Sequence, residues 1–315
     1  MSHQENKSVQ ILIFGANGWI GTKVYKYLTT ELGLTNNASV TVFKSGARAD
    51  DIEAVKRELI RIPNITHIMS FIGRTHGTYE NEKIGTIDYL EKPGKLTDNV
   101  RDNLFSPIAL ALLCKERNIH FTYLGTGCIF EYDAEHPFAE EVNGFAESNK
   151  PNFFGSSYSI VKGFTDQLMH LLENTVLNVR IRMPITHEVN DRNFITKITN
   201  YSRVCSIPNS MTVLNELIPI MVDMALSQFT GTVNLTNPGL ISHNEILEMY
   251  REIVDPAFTW NNFSIQDQNQ ILLSKRSNNF LDTSKLQELY PKVKPIKESV
   301  REMLVLMHAQ RKKID

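Results

Sequence analysis

Five short stretches, VQILIFG (9–15), SVTVFKS (39–45), THIMSFIG (66–73), HFTYLGTG (120–127) and LNVRIRMPI (177–185), are apolar at nearly every position rather than at every second one. Alternation marks a strand with one wet face; an unbroken run marks a strand covered on both faces, as in a parallel sheet between two helix layers. Helices are predicted at 18–32, 50–61, 97–117 and 156–173, so the order is strand, helix, strand, helix, that of a doubly wound α/β sheet. Beyond residue 186 the pattern changes to helices near 193–201, 213–227, 242–254, 264–273, 283–289 and 295–310, with one strand, GTVNLTN (231–237). The expected organisation is a nucleotide-binding domain over 1–185 and a smaller, mostly helical substrate domain over 186–315, with chain exchange between the two. Residues 74–96 form an irregular segment longer than a compact domain tolerates without a functional reason.

Composition excludes several classes. A formal charge of -2 gives no basic field for nucleic acid or an anionic membrane, and no stretch approaches the roughly 18 apolar residues that span a bilayer. Cys114, Cys128 and Cys205 are an odd, unclustered set without a CxxC, so reduced thiols and a cytoplasmic setting are expected rather than disulfides or structural zinc. Asp98, Asp102, Glu245, Glu248 and Glu252 show no metal-ligand pairing, and no metal is expected.

The first strand runs into Gly15-Ala16-Asn17-Gly18-Trp19-Ile20-Gly21. In a first βα unit, such glycines permit a tight turn, close approach to a pyrophosphate and close packing of helix on strand, with the helix amides facing the anion. Asn17, Trp19 and Ile20 fall within the same turn, and Phe71-Ile72-Gly73 ends the third strand beside it. At the end of the second strand, where NAD-binding chains present a carboxylate, this one reads Lys44-Ser45-Gly46-Ala47-Arg48. Two cations there suit a 2′-phosphate, so NADPH is expected, with NADH the alternative.

Tyr158 and Lys162 are four residues apart at the start of a helix and so share a face. An ammonium beside a phenol lowers the phenol's pKa, making it a usable acid and base. Thr126, at the end of the fourth strand, is placed to hold the same oxygen, and Asn103 falls on the preceding helix, where its amide supports helix geometry or a water near the lysine.

With Gly15, Gly18, Gly21, Asn103, Thr126, Tyr158 and Lys162 in order, the chain resembles the extended short-chain dehydrogenase/reductases, whose fold is the Rossmann type. TGCIFEYD, RIRMPI, RNFITKIT, IPNSMTVLNEL and TNPGLISHNEILEMYREIVDPAFTW are similar to one branch, the nucleotide-rhamnose synthases that are bifunctional 3,5-epimerase/4-reductases. That resemblance implies conversion of UDP-4-keto-6-deoxyglucose to UDP-β-L-rhamnose with NADPH, and a homodimer; with no dehydratase domain in the sequence, a separate 4,6-dehydratase is expected upstream. It implies that Met183 and Pro184 line the cofactor where the chain turns into the substrate lobe. It further implies that Arg276, in RSNNFLDTSKL, holds the substrate diphosphate and that Asn193 and Phe194 contact the sugar nucleotide; Arg74 is placed at the crevice.

Epimerisation at C3 and C5 requires two titratable groups on opposite faces of the ring. Related dehydratases resemble this chain but carry an Asp-Glu pair after the threonine, where Gly127 and Cys128 stand here. Cys128 is the expected acid/base, since an ordinary thiol titrates near about 8.5. Lys197 matches the position credited with the second proton, and His187 is its rival. Two other readings remain: a plain 4-keto-deoxysugar reductase, which has no need of Cys128, and a non-catalytic NADP-binding sensor or scaffold.

Overall fold

The computed structural model describes residues 8–32 and 40–312. Strands β1 (Val9–Phe14), β2 (Val40–Lys44) and β3 (His67–Ser70) are joined through helices α1 (Trp19–Lys26) and α2 (Ile52–Arg61). The expected start of the second strand, residue 39, lies outside the described residues. A hairpin, β4 (Gly77–Tyr79) with β5 (Glu82–Ile84), then leads into α3 (Lys95–Val100) and α4 (Ser106–Arg117). These two helices are joined by a π-turn at Arg101–Phe105, so the helix expected at 97–117 is continuous but wider in its middle. The first helix likewise ends in a π-turn, Tyr27–Glu31.

Next come β6 (His120–Thr126), α5 (Ser157–His170), β7 (Val176–Ile181), β8 (Pro184–Ile185), α6 (Phe194–Thr199), β9 (Thr212–Val213), α7 (Leu214–Leu226) and β10 (Gly231–Asn234). The chain finishes with α8 (His243–Ile253), α9 (Ile265–Ile271), α10 (Ser284–Leu289) and α11 (Ile296–Arg311). Local chemistry fixes several starts: Asp51 caps α2 through the Ala54 amide, Ser156 caps α5 through Ser159, and Ser242 with Glu245 forms a reciprocal capping box on α8.

The main sheet has the order β2-β1-β3-β6-β7-β10, all parallel. The strand at 231–234 therefore belongs to this sheet, pairing with β7, and not to a separate helical region. Helix α7 also returns to the sheet, across the division expected at residue 185. Leu217, Met221 and Val222 of α7 pack with Ile11, Ile13, Leu177 and Val179 on one face, beside Val24 and Leu28 of the first helix. On the other face, Val55 and Leu59 of α2, Leu110 and Cys114 of α4, and Met169 of α5 cover Leu12, Phe14, Phe121 and Tyr123. A third cluster, built from α6, α8 and α11 around Ile195, Leu247 and Leu304, forms the core of the C-terminal helical region.

The strand order reverses at β1, with β2 on one side and β3 on the other, and at such a point a crevice opens outside the carboxyl ends of the strands.

Candidate active site

The turn after β1 is held by backbone contacts that leave no room for side chains. Gly15 has φ of 74°, and a Cβ there would lie 2.9 Å from the Phe71 carbonyl carbon; a Cβ on Gly21 would lie 2.2 Å from the Gly15 oxygen. The ends of β1 and β3 thus abut, bringing Gly15–Gly21 together with Phe71, Ile72 and Gly73. Helix α1 begins at Gly18 with no side-chain cap, so its first-turn amides face the crevice without a competing acceptor. This cradle fits a dinucleotide's pyrophosphate. Asn17 and Trp19 also line a cavity of about 780 Å³ with Thr22, Lys23 and the loop carrying Glu188 and Arg192. That loop is tied back by an ion pair between Lys23 and Glu188.

At the β2 end the arrangement differs from the expectation of free cations. Arg48 is engaged by Asp50 through two hydrogen bonds of 2.9 and 3.1 Å, and the Lys44 ammonium lies 4.2 Å from the Tyr25 ring centroid. Ser45 donates to Glu58 at 2.5 Å, and the Gly46 amide donates to the other oxygen of the same carboxylate at 2.7 Å. The carboxylate absent from the end of β2 arrives from α2, one element later. Sequence spacing gave no signal for it.

Asn103 is buried on the π-turn, and its side chain pins the end of β3: it accepts from the Arg74 amide and donates to the Arg74 carbonyl, each at 2.8 Å, while donating also to Asn99. Its own carbonyl accepts from Thr165 of α5 at 2.7 Å. The support expected of Asn103 is therefore directed at the backbone of the crevice wall rather than at the lysine. The Arg74 guanidinium is held by Asp102, with the shorter contact 2.7 Å, instead of standing free in the crevice.

Thr126, Cys128, Tyr158 and Lys162 come together where β6 ends beneath the N-terminus of α5. The Thr126 hydroxyl accepts from the Cys128 amide at 3.1 Å. The Cys128 carbonyl accepts from Ser159 at 2.7 Å, which fixes the loop against the helix. Cys128 is the only one of the three cysteines that is not buried.

The phenol and ammonium do not behave as expected from spacing alone. The Lys162 ammonium donates to the Tyr123 hydroxyl and to the Leu124 carbonyl, because Lys162 sits one turn deeper than Tyr158 and Tyr123 of β6 is the acceptor it meets there. Burial, and then a negative Cys128, push the Tyr158 phenol above its ordinary range, against the lowering by Thr126. Tyr158 therefore keeps its proton, the form a donor to an alkoxide needs. Burial brings Lys162 down to about 7, with Asp166 and Cys128 opposing. Tyr123, invisible to motif reasoning because it lies in an apolar strand, belongs to this group.

Lys197, on α6, is brought down to about 8 by burial and by Arg192 and Arg276, the direction its proposed acid/base role needs. Its ammonium donates to the Gly85 carbonyl at 3.4 Å, just beyond β5. His76, within the irregular segment, is brought to about 4 by burial and by Arg192, Arg74 and Lys197, so it is a neutral neighbour of that cluster. His187, the rival to Lys197, is in contact with the Asn215 amide. Arg276 is paired with Asp88, whose carboxyl, despite the burial that raises it, is held at about 2 by Arg276 and Thr86. The expected diphosphate ligand is thus oriented by a carboxylate from the same irregular segment.

Two expected sugar contacts have other work. Asn193 is fully buried, caps α6 through Ile195, accepts from the Thr186 amide, and donates to the Thr186 and Glu188 carbonyls, which uses all four of its hydrogen-bonding positions. These bonds shape the loop at 186–195. Phe194 packs edge-on against His243 and into the C-terminal cluster. Met183 adopts φ of 39° at the turn out of β7, and Pro184 opens β8, so both mark the bend into the helical region. Among the described residues no cluster of metal-ligating side chains occurs, and no helix is long and apolar enough to cross a membrane.

No protein-family model matches the chain. It is 55% identical to the uncharacterized protein L780 of Acanthamoeba polyphaga mimivirus, over 95% of this chain and 99% of that protein. It is 39% identical to a bifunctional dTDP-4-dehydrorhamnose 3,5-epimerase/dTDP-4-dehydrorhamnose reductase of Arabidopsis thaliana, over 94% of this chain and 92% of that one. The crystal structure of the mimivirus L780 UDP-rhamnose synthase superposes with a TM-score of 0.87, covering 95% of this chain and all of that one. A dTDP-4-dehydrorhamnose reductase from Clostridium acetobutylicum, at 17% identity and a TM-score of 0.75 over 95% of this chain and 99% of that one, shares the fold. The chain belongs to the extended short-chain dehydrogenase/reductases, in the rhamnose-synthase branch of epimerase/reductases.

Proposed function

We propose that the chain is a bifunctional 3,5-epimerase/4-reductase that converts UDP-4-keto-6-deoxyglucose to UDP-β-L-rhamnose with NADPH. The observation that carries this reading is the convergence of Thr126, Cys128 and Tyr158 on one crevice rim in a chain 55% identical to a UDP-rhamnose synthase. A reductase alone would need the threonine and tyrosine but not an accessible thiol beside them.

The C4 ketone acidifies the hydrogens on C3 and C5. Cys128 takes a proton from one of these carbons, and the electron pair of the broken C–H bond moves onto the C4 oxygen. Thr126 and Tyr158 donate hydrogen bonds to that oxygen; removing one such donor typically costs about two to three powers of ten in rate. Lys197, protonated below about 8, returns a proton from the opposite face. A bound nicotinamide dinucleotide would supply hydride to C4. Tyr158 then protonates the resulting alkoxide, and Lys162 restores the proton balance beneath it. Arg276, aimed by Asp88, holds the diphosphate.

A related reductase structure, from Bacillus anthracis, contains NADP, which supports a nicotinamide dinucleotide here. The choice of NADPH over NADH rests on Lys44 and Arg48, which exchange Tyr25 and Asp50 for a phosphate. The enzyme is cytoplasmic, and a homodimer forms through helix faces carrying Phe105, Leu112 and Phe164, all exposed in the single chain.

The test is NMR product analysis with the 4-keto sugar, with and without NADPH, in deuterated water. Deuterium at C3 and C5 without NADPH, abolished by Cys128→Ala, is expected; entry unaffected by that change would remove Cys128 from the reaction. Tyr158→Phe should abolish reduction while leaving cofactor affinity within about twofold.

A further inference from the structure

The loop after β2 is tied at both ends. The Ser45 amide donates to the Ile13 carbonyl of β1 at 2.9 Å, two residues before Gly15, and the Asp51 amide donates to the Arg48 carbonyl at 3.1 Å where the loop enters α2. Between these ties the Ser45 hydroxyl and the Gly46 amide converge on one carboxylate. Ser45 donates to one oxygen of Glu58 at 2.5 Å and Gly46 to the other at 2.7 Å, while the Ala47 amide donates back to the Ser45 oxygen at 3.2 Å. A hydroxyl and a backbone amide held together beside Lys44 and Arg48 form a site for an anion. Here the chain fills that site with an anion of its own.

Position decides what this carboxylate faces. Strands β1 and β2 pair with Leu12 opposite Phe43 and Ile13 opposite Lys44, so the β2 loop leaves the sheet beside the Gly15–Gly21 turn. In a doubly wound sheet the adenosine ribose of a dinucleotide lies there, its 2′ position towards the end of the second strand. The approach is open: among the described residues a Cβ on Gly46 would meet only the Glu58 oxygen, at 3.7 Å. A carboxylate offers about four acceptor positions, and the loop uses two of those on Glu58. The remaining two suit the vicinal 2′- and 3′-hydroxyls of a ribose, which are both donors. A 2′-phosphate brings no hydroxyl at that position and about two negative charges, so it is repelled by Glu58 and reaches Ser45 and Gly46 only by displacing it. Lys44 and Arg48 pull the other way, once they leave Tyr25 and Asp50.

We propose that Glu58 is the specificity-determining residue of the cofactor site: it is the ribose acceptor that the end of β2 lacks, and it admits NADH as a hydride donor beside NADPH. The proposal rests on the reading of the crevice as a nicotinamide dinucleotide site and deepens it. The two cofactors differ only at the 2′ position, which takes no part in hydride transfer, so Glu58 acts on binding and not on the chemical step.

The test is direct binding, read from the fluorescence of the reduced nicotinamide as NADH or NADPH is titrated into the protein without sugar nucleotide. In the unaltered protein the two dissociation constants should lie within about tenfold of each other. Glu58→Gln keeps the size of the side chain and one acceptor oxygen but removes the charge. It should tighten NADPH and weaken NADH, changing the ratio of the two constants by at least about fivefold. A smaller change in that ratio overturns the proposal, as does an unaltered protein that binds NADPH more than about tenfold tighter than NADH. Should Glu58→Gln fail to fold by circular dichroism, the second criterion decides alone. Absence of binding by both dinucleotides would overturn the cofactor reading and this proposal together. Failure to turn over the 4-keto sugar would refute the reductase reading while the ratio of dissociation constants still judged Glu58.

Discussion

Replacing Asp166 by Asn tests the polar framework beneath the active site. Asp166 is buried in α5 and accepts from Arg180 Nε at 2.8 Å, Arg180 Nη2 at 2.7 Å and Asn178 Nδ2 at 2.9 Å. An asparagine keeps one acceptor oxygen and turns an NH2 towards one of these donors, so at least one bond is lost and a fully buried guanidinium is left without its counterion. Breaking a buried pair from one side costs about 3–5 kcal/mol. Unfolding entropy near 2.1 cal/mol/K per residue gives about 0.66 kcal/mol/K for 315 residues, so a loss of about 4 kcal/mol lowers Tm by about 6 °C. Calorimetry and urea titration of Asp166→Asn and of the double variant Asp166→Leu with Arg180→Met provide the assay. The double variant removes both charges and should regain most of the loss. A single-variant cost below about 1 kcal/mol, or a double variant no better than the single one, would refute the reasoning. There is a catalytic counterpart: Asp166 favours the charged form of Lys162, so Asp166→Asn should depress reduction at pH 7 and recover part of it at lower pH, where the ammonium returns.

Glu58→Gln should raise the preference for NADPH over NADH several-fold, because it removes a carboxylate held by Ser45 and Gly46 where a 2′-phosphate would approach; initial rates with both cofactors check this. Gly127→Ala should cost about 1–3 kcal/mol through its collision with Leu281 and Arg182, and should slow deuterium exchange more than Tyr158-dependent reduction, as thermal melts and exchange NMR would show. His67, 2% exposed and brought by burial and by His120 to about 4, binds its proton more weakly folded than unfolded. Stability should therefore fall as pH drops from about 6.5 towards 4, by about 3 kcal/mol for this group; urea titrations of His67→Leu across that range should show a shallower fall. Proton return by Lys197 needs its ammonium, so the epimerisation rate should decline as pH rises through about 8, and stopped-flow or NMR rates across pH 6.5–9.5 measure it.

What could be read from the sequence follows the range of the interactions involved. The strands and helices were legible because burial on two faces writes itself as unbroken apolar runs, and helix caps such as Ser156 and Ser242 are local. Strand β10 was read as a strand but assigned to the wrong region, since GTVNLTN says nothing about which neighbour pairs with it; the pairing with β7 spans 54 positions between Thr232 and Asn178. The same limit governs the site. Thr126, Cys128, Tyr158 and Lys162 announce themselves because their chemistry sits at strand ends and helix starts. The groups that modify them do not: Glu58 reaches the β2 loop from α2, Tyr123 receives the Lys162 ammonium from within an apolar strand, and Asp88 orients Arg276 across 188 positions. Asn193 shows the opposite limit: the resemblance implied a ligand contact, while its side-chain hydrogen bonds are all taken up within the fold. A polar residue's type says what it could bind, but only the count of partners it has left says whether anything remains to bind with. By that count Arg182 stands apart from Arg180, two positions away: one has its counterion built in, and the other donates to the neutral oxygens of Asn209 and Ser277.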